Sequence, residues 1–462
     1  MRSVLKSPAF GPPRFYREAL AIVVPVMLQS LLTGLVSLID NFMVAALGDS
    51  KMAGVNVANQ VNFVYLVIIN TVCISGGIYL SQHRGAEDRD GMAQAFRFKL
   101  LLASSISLAY LCICLLGAES LIRIMLAGNS EASGIVIEGA GYLRAVSPSF
   151  VFIGLSVSIS TAFRDTGVTK VSLVASVLAA LVNTFFNWVF IYGNLGAPRM
   201  ETKGAAIATV LARAIEAALF LELLYRRKPA FSFPIRRLFA VDRRLFAEIL
   251  SKSGMMLFSE TAWVVSETII TALYNGRGGA QTVAGMAAGW TVANIMFLVF
   301  PAIHSATGVV VGSTLGAGRL EEGRIQARWV MSGAFVLGLG AGLAAMASTL
   351  LIPLVFSNLS SDARVVTRGI VMVIALYLPL WCLLNAQFAV SRAGGDTLMG
   401  VWVDVGVSYS LFIPAAIVIA KMTDWGPVAL FGIAKLSDLP KALVASWWLS
   451  KGRWVRNLAK KA

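Results

Sequence analysis

Charged side chains are scarce in this chain, and their scarcity excludes most of what 462 residues could build. Only 14% of the residues are charged against 57% hydrophobic, and the mean hydropathy is +0.75, a balance that no water-facing globular surface carries. Histidine occurs twice, at His83 and His304, and the spacing is not that of a metal-ligand pair. The four cysteines, Cys73, Cys112, Cys114 and Cys382, all fall inside apolar runs, so no disulfide framework or zinc site is indicated and packing is their expected role. Glycine-rich runs such as Gly308–Gly312 and Gly316–Gly318 lack the Gly-Lys-Ser/Thr of a phosphate loop. Small residues at every fourth position instead let membrane helices approach closely. The motifs of zinc metalloproteases, serine hydrolases and diphosphate enzymes are all missing, so the chain reads as a non-enzyme without an organic cofactor.

Apolar length is what the sequence has in quantity. Crossing about 30 Å of hydrocarbon takes roughly 20 helical residues. Twelve such runs lie between the polar breaks, near 18-46, 55-82, 93-117, 136-162, 168-192, 204-225, 247-274, 281-315, 329-356, 366-390, 399-420 and 427-449. Several exceed a straight span, which implies tilt or continuation into the interface. The net charge of +15 is no argument for nucleic acid, because it is sorted by side: with the N-terminus inside and residues near a span end counted with the segment they adjoin, 27 of the 39 Lys and Arg fall in inner segments, 8 in outer loops and 4 deep within spans. The positive-inside rule then predicts that both termini are cytoplasmic and that the chain sits in the cell (inner) membrane. The first run is long, contains Asp40 and lacks a small-residue cleavage site, so it is expected to remain as a span.

An internal repeat organises the runs. Ala53-Gly54-Val55, Ser75-Gly76-Gly77 and Gly85-Ala86 recur as Ala284-Gly285-Met286, Ala306-Thr307-Gly308 and Gly316-Ala317 at one offset of 231 residues. Pro148 and Pro379 keep that offset, while Arg164–Gly167 and Arg392–Gly395 match at 228. Six spans per half make the repeat parallel, an arrangement transporters use around a central cleft. The expected organisation is an N-terminal lobe at 1-225 with spans 1-6, a basic cytoplasmic linker at 226-246, and a C-terminal lobe at 247-462 with spans 7-12.

A carboxylate in hydrocarbon costs roughly 2.5 to 3.5 kcal/mol on insertion scales, so each one inside a span is a candidate functional group. Asp40 lies deep in span 1, with Pro25 about four turns earlier as a kink, and Glu260 lies in span 7. Span 5 adds Asn183 and Asn187 at i, i+4, and span 6 adds Thr209. A carboxylate with amide and hydroxyl oxygens is a hard-ligand set for a small cation such as Na⁺. Interhelical hydrogen bonding is the plainer alternative. Glu267 is expected to face solvent or a polar cavity, and Asp404 to lie near the interface. Arg144 is expected to pair with an acid, and Asp438 to pair locally with Lys435 and Lys441. Met27, Met43, Met255, Met256, Met286 and Met296 are weaker candidates for an adaptable cleft lining.

The segments Asp40–Gly48 with Ala53-Gly54, Tyr142-Leu143-Arg144 before Pro148, Ala162–Gly167, Asn183–Gly193 and Gly204–Thr209 together resemble the multidrug and toxic compound extrusion family, commonly called MATE. Glu260–Trp263, Gly276–Gly279, Gly312–Gly318 and Arg392–Thr397 extend the resemblance through the second half. It implies an all-α polytopic membrane protein of twelve transmembrane helices in two pseudo-symmetric six-helix bundles, exporting cationic or amphipathic organic compounds in exchange for Na⁺ or H⁺. It places Asp40, Asn183, Asn187 and Thr209 at an N-lobe cation site with Tyr142 close by, Glu260 at a C-lobe acidic position, and Pro25 at the bend of the first helix. Asn187 departs from the Asp of one branch, including archaeal and DinF-like members, and the NorM-like pattern it follows leans toward Na⁺. The expected partners are small organic substrates and the bilayer, with no nucleic acid and a monomeric chain. A flippase for a lipid-linked precursor is the first alternative, disfavoured by the few intramembrane Arg and Lys, and a membrane-embedded enzyme is the second.

Overall fold

The apolar runs fold as helices, as they must where hydrocarbon offers the backbone no other hydrogen-bond partner. The computed structural model describes residues 9–126, 132–275 and 279–460. Arg2 and Lys6 of the basic N-terminus, and Gly276-Arg277-Gly278 of the resemblance, lie outside the described residues. The first half forms α1 (Pro13–Ala45), α2 (Asp49–Gly85), α3 (Arg89–Met125), α4 (Ala132–Val146), α5 (Ser149–Asp165), α6 (Thr169–Tyr192) and α7 (Glu201–Arg227). The second half forms α8 (Arg243–Asn275), α9 (Ala280–Met296), α10 (Val299–Thr307), a π-helical turn at Gly308–Gly312, α11 (Ser313–Gly316), α12 (Leu320–Ser348), α13 (Ile352–Val355) and α14 (Ser361–Ala393). It closes with α15 (Leu398–Gly400), a π-helical stretch at Val401–Phe412, α16 (Ile413–Met422), α17 (Pro427–Ala434) and α18 (Asp438–Ser450). No strand occurs among the described residues.

Among the described residues, nine helical segments are long and apolar enough to cross a bilayer, and α4 with α5, bent by 52°, makes a tenth. The remaining two runs read from the sequence fold as α7 and as α17 with α18. The first carries Arg213 and Glu216, and the second is broken into two short helices around Lys435, Asp438 and Lys441.

By contacts the chain forms two units. One comprises Leu28–Leu80 and Asp88–Leu250, with Tyr65, Ile69, Cys73, Leu143 and Phe150 in its core. The other comprises Ser251–Ala462 with Ser81–Glu87 and the described part of Met1–Met27; Ile370, Leu378, Phe412 and Phe431 form one of its cores. The start of α1 and the end of α2, both inside the 1-225 of the sequence reading, thus pack with helices of 247-462. Phe15 stacks edge-on against Trp329 at 5.1 Å, and Gln82 Nε2 donates to Ala393 O at 2.7 Å.

The repeat is visible in the packing. A Cβ on Gly54 would meet Gly139 N of α4 at 2.8 Å, and one on Gly285 would meet Ala363 O of α14 at 2.5 Å, so both glycines permit the same close crossing of a second span by a fourth. The repeated prolines behave differently. Pro148 stands at the 52° break between α4 and α5, where the Ser147 hydroxyl donates to Arg144 O at 2.9 Å. Pro379 sits inside the continuous α14, clasped by Gly338 of α12, whose Cβ would lie 2.7 Å from the proline Cα. A proline removes one helical hydrogen bond in either place, and the neighbouring helix decides whether a break follows. The basic linker is docked rather than loose: Phe231 is buried against Phe96 and Phe163, and Arg97 Nη1 donates to Ala240 O at 2.9 Å.

Candidate functional site

In the unit containing most of the first half, α1 and α6 bring the sequence candidates together. Asn187 Nδ2 donates to Asp40 Oδ1 at 2.5 Å. The Asn183 amide satisfies its surroundings best with nitrogen toward Asp40, 2.9 Å from Oδ1 and 3.0 Å from Oδ2. In the opposite orientation that nitrogen faces Thr209 Oγ1 at 3.4 Å. Thr209 Oγ1 donates to Ala205 O at 3.0 Å, which leaves its lone pairs open. Tyr142 of α4 is buried and near enough to Asp40 for the two to interact electrostatically. Asn187 Oδ1 is buried without a hydrogen-bond partner, and a buried orphan acceptor of this kind calls for a ligand or a role.

No cation pairs with Asp40 among the described residues. Arg213, one turn beyond Thr209 on α7, reaches it only through space and is itself paired with buried Glu216 at 2.8 Å. Glu216 also accepts from Ser176 Oγ at 3.3 Å, and Gln29 Nε2 of α1 donates to that hydroxyl at 2.8 Å. The Arg213, Glu216, Ser176 and Gln29 chain went unread in the sequence. Its one legible signal was an oppositely charged pair at i, i+3 inside an otherwise apolar run.

In the other unit, Glu260 is not a lone acid. Arg392 Nη2 donates to Glu260 Oε1 at 2.8 Å, and the guanidinium lies 5.9 Å from the Phe388 ring. Glu267 differs from the expectation of a polar cavity, since Lys435 Nζ holds its Oε1 at 2.5 Å and that ammonium is ringed by Trp381, Phe412 and Phe431 at 5.6–5.8 Å. Lys435 therefore leaves Asp438 to Lys441, at 3.5 Å, and to Trp381 Nε1, which donates at 2.7 Å. Arg144 pairs with an acid as expected, Glu119 at 3.1 Å, on an exposed surface. His304 Nε2 meets Asn385 Oδ1 at 3.3 Å. Pro25 lies within α1, which continues through it.

Asp404, six residues into the helical segment Leu398–Met422, meets Ser259 at the middle of the 33-residue α8, whose hydroxyl donates to Asp404 Oδ2 at 3.3 Å. Glu260, Arg392 and Lys441 surround it, yet none is an ion-pair partner among the described residues, because the two cations are held by Glu260 and Asp438. It belongs to the π-helical stretch, where Ser408, one turn on, keeps a buried hydroxyl without a partner. Hydropathy placed Asp404 by its distance from the end of an apolar run, and that distance says nothing of the neighbouring helix.

Among the described residues no group of three or more His, Cys, Asp or Glu is arranged to hold a metal ion. Asp40, Asn183, Asn187 and Thr209 fit a monovalent cation in donor chemistry, since each carries a hard oxygen, but both amides turn their nitrogens to Asp40 here and would have to rotate to offer those oxygens to an ion beside it.

The family model MatE matches residues 25–189 and 256–418. A probable multidrug resistance protein NorM from Halalkalibacterium halodurans is 23% identical over 444 residues, covering 94% of this chain and 93% of its own. Another, from Deinococcus radiodurans, is 28% identical over 411 residues and covers 86% and 85%. Among solved structures, a MATE protein in a straight conformation superposes with TM-score 0.84 at 19% identity, covering 96% and 97% of the two chains. A MOP superfamily transporter from Pyrococcus furiosus, described by the reversed polarity of its binding pocket, superposes with TM-score 0.83 at 18% identity over 98% of both. The chain belongs to the MatE family, and it is a twelve-span transporter rather than an enzyme.

Proposed function

We propose that this MatE-family chain exports cationic or amphipathic organic compounds in exchange for an inward monovalent cation, with Asp40 as the carboxylate on which coupling rests. The observation that carries this reading is an intramembrane carboxylate without a counter-ion, faced by two amides, with the Thr209 hydroxyl beside Asn183. Asp165, Glu216, Glu260, Glu267 and Asp438 each have a cation of their own, whereas Asp404 in the second half shares with Asp40 the lack of one among the described residues. A proton or Na⁺ would neutralise Asp40, and the two compete for it. Na⁺ would be held by Asp40 with the oxygens of Asn183, Asn187 and Thr209, once the amides turn, and it would supply the paired positive charge that Arg213, held by Glu216, does not. If the ion and the organic substrate favour opposite-facing states, each drives the other by its differential affinity. An inward cation gains roughly 2.3 kcal/mol per 100 mV of membrane potential.

In the second half the same test, a carboxylate with no counter-ion, selects Asp404 over Glu260. Glu260 then serves by holding Arg392. A flippase for phosphate-bearing lipid precursors fits less well, because Arg213, Arg392, Lys435 and Lys441 are each engaged by a carboxylate, and the buried arginine without one, Arg97, lies beside the linker rather than near Asp40 or Asp404.

The test is efflux of a fluorescent organic cation from vesicles under separately imposed Na⁺ and pH gradients. Wild-type protein should respond to at least one gradient. Asp40→Asn should fold, keep substrate binding and lose gradient-driven export. Wild-type rates from Asp40→Asn would make Asp40 structural and move coupling elsewhere.

A further inference from the structure

A cavity of about 430 Å³ lies between the start of α3 and the basic linker, well away from Asp40 on the chain and lined by Arg89, Arg97, Lys228, Arg237, Asp90 and Ser232 among others. Four cations face one carboxylate there. Arg97 is 4% exposed, yet among the described residues it has no carboxylate within ion-pair distance; its Nη1 donates to Ala240 O, its Nε has no partner, and its face rests on Phe233 at 4.7 Å. A buried charge left uncompensated is strongly unfavourable, so a guanidinium in this position calls for an anion. Lys228, which lines the cavity, closes α7 as its left-handed C-cap at φ +41°.

We propose that this cavity binds the phosphate of an anionic membrane lipid. Phosphate suits the arginine fork, which presents parallel N–H donors to two oxygens. The linker argues for a lipid over a soluble phosphate. Ile235 and Phe239 beside the cavity are 84% and 82% exposed, with Arg236 between them also facing outward, a pairing of apolar and basic side chains that belongs in a headgroup layer. The positive-inside reading places this segment on the cytoplasmic side, where such basic clusters meet anionic lipid.

The experiment is native mass spectrometry and thermal unfolding of the purified full chain in neutral detergent, with phosphatidylglycerol, phosphatidylcholine or inorganic phosphate added separately. Phosphatidylglycerol should remain bound and raise the unfolding temperature, phosphatidylcholine should do neither, and phosphate alone should have no effect at millimolar concentration. Losing one charge-assisted contact weakens such binding roughly tenfold or more. Arg97→Gln should therefore lose the retained lipid. Should that variant fail to fold, the exposed pair Arg89→Gln and Arg237→Gln carries the test, with the same expected loss. Equal retention of the two lipids, phosphatidylglycerol binding unchanged in either set of variants, or full stabilisation by inorganic phosphate would each overturn the proposal.

Discussion

At the scale of single residues, Lys99, Glu216, Arg392, Lys435, Asp438 and Lys441 are buried charges each matched by an opposite charge, and removing one partner leaves the other stranded. Glu260 and Arg392 are the clearest pair, with side chains 33% and 11% exposed. Glu260→Gln and Arg392→Gln should each destabilise the protein by about 1 to 3 kcal/mol, the cost of leaving a polar partner unsatisfied. The double variant should lose less than the two singles together, by about 0.5 to 3 kcal/mol. Denaturant unfolding in detergent micelles measures all three, and strict additivity would mean that the pair contributes nothing. The residue types at Asp40, Asn183, Asn187 and Thr209 were legible in the sequence because polar groups are conspicuous in apolar runs. Arg392 as the partner of Glu260 was not legible, because 132 residues separate them and only the packing of α8 with α14 joins them.

At the scale of helices, close crossings depend on glycine. A Cβ on Gly316 would lie 1.8 Å from Gln82 O, so Gly316→Ala must push α11 and the end of α2 apart and should cost about 1 to 3 kcal/mol. Gly254→Ala, with nothing within 4 Å of its Cβ, should be neutral or stabilise slightly. Comparing their thermal unfolding separates packing from helix propensity. A second prediction concerns α2 and α7, which are joined by the Lys51 to Glu201 ion pair. The Lys51 hydrogen bond holds the Glu201 carboxyl below its ordinary value. A depressed folded value stabilises above the unfolded value and is lost as pH falls through the folded one. Lys51→Ala should thus destabilise by at most about 1 kcal/mol at neutral pH, since the pair is partly solvated, and should match wild type in acid. Unfolding temperatures that stay equally separated from pH 7 down to about pH 3 would contradict this, that range spanning the usual carboxylate value.

At the scale of the whole molecule, orientation follows from charge. The basic bias predicts both termini inside, so Arg236→Cys in the linker should react with an impermeant thiol reagent only after the cytoplasmic face is opened, and labelling from outside intact cells would invert the topology. The inside or outside assignment of every loop rests on that one measurement.

Composition, run length and the 231-residue repeat determined that this chain is an all-α membrane protein of twelve spans with polar groups concentrated in a few of them. Those properties are local or periodic: a helix in hydrocarbon needs only its own backbone and an apolar surface. Which charges neutralise which was decided by tertiary structure alone. The pairing of Glu267 with Lys435 rather than with solvent, the placing of Asp404 against the middle of α8, and the break at Pro148 but not at Pro379 all depend on the neighbouring helix. Electrostatic pairing acts over a few ångströms in space, so distance along the chain does not report it.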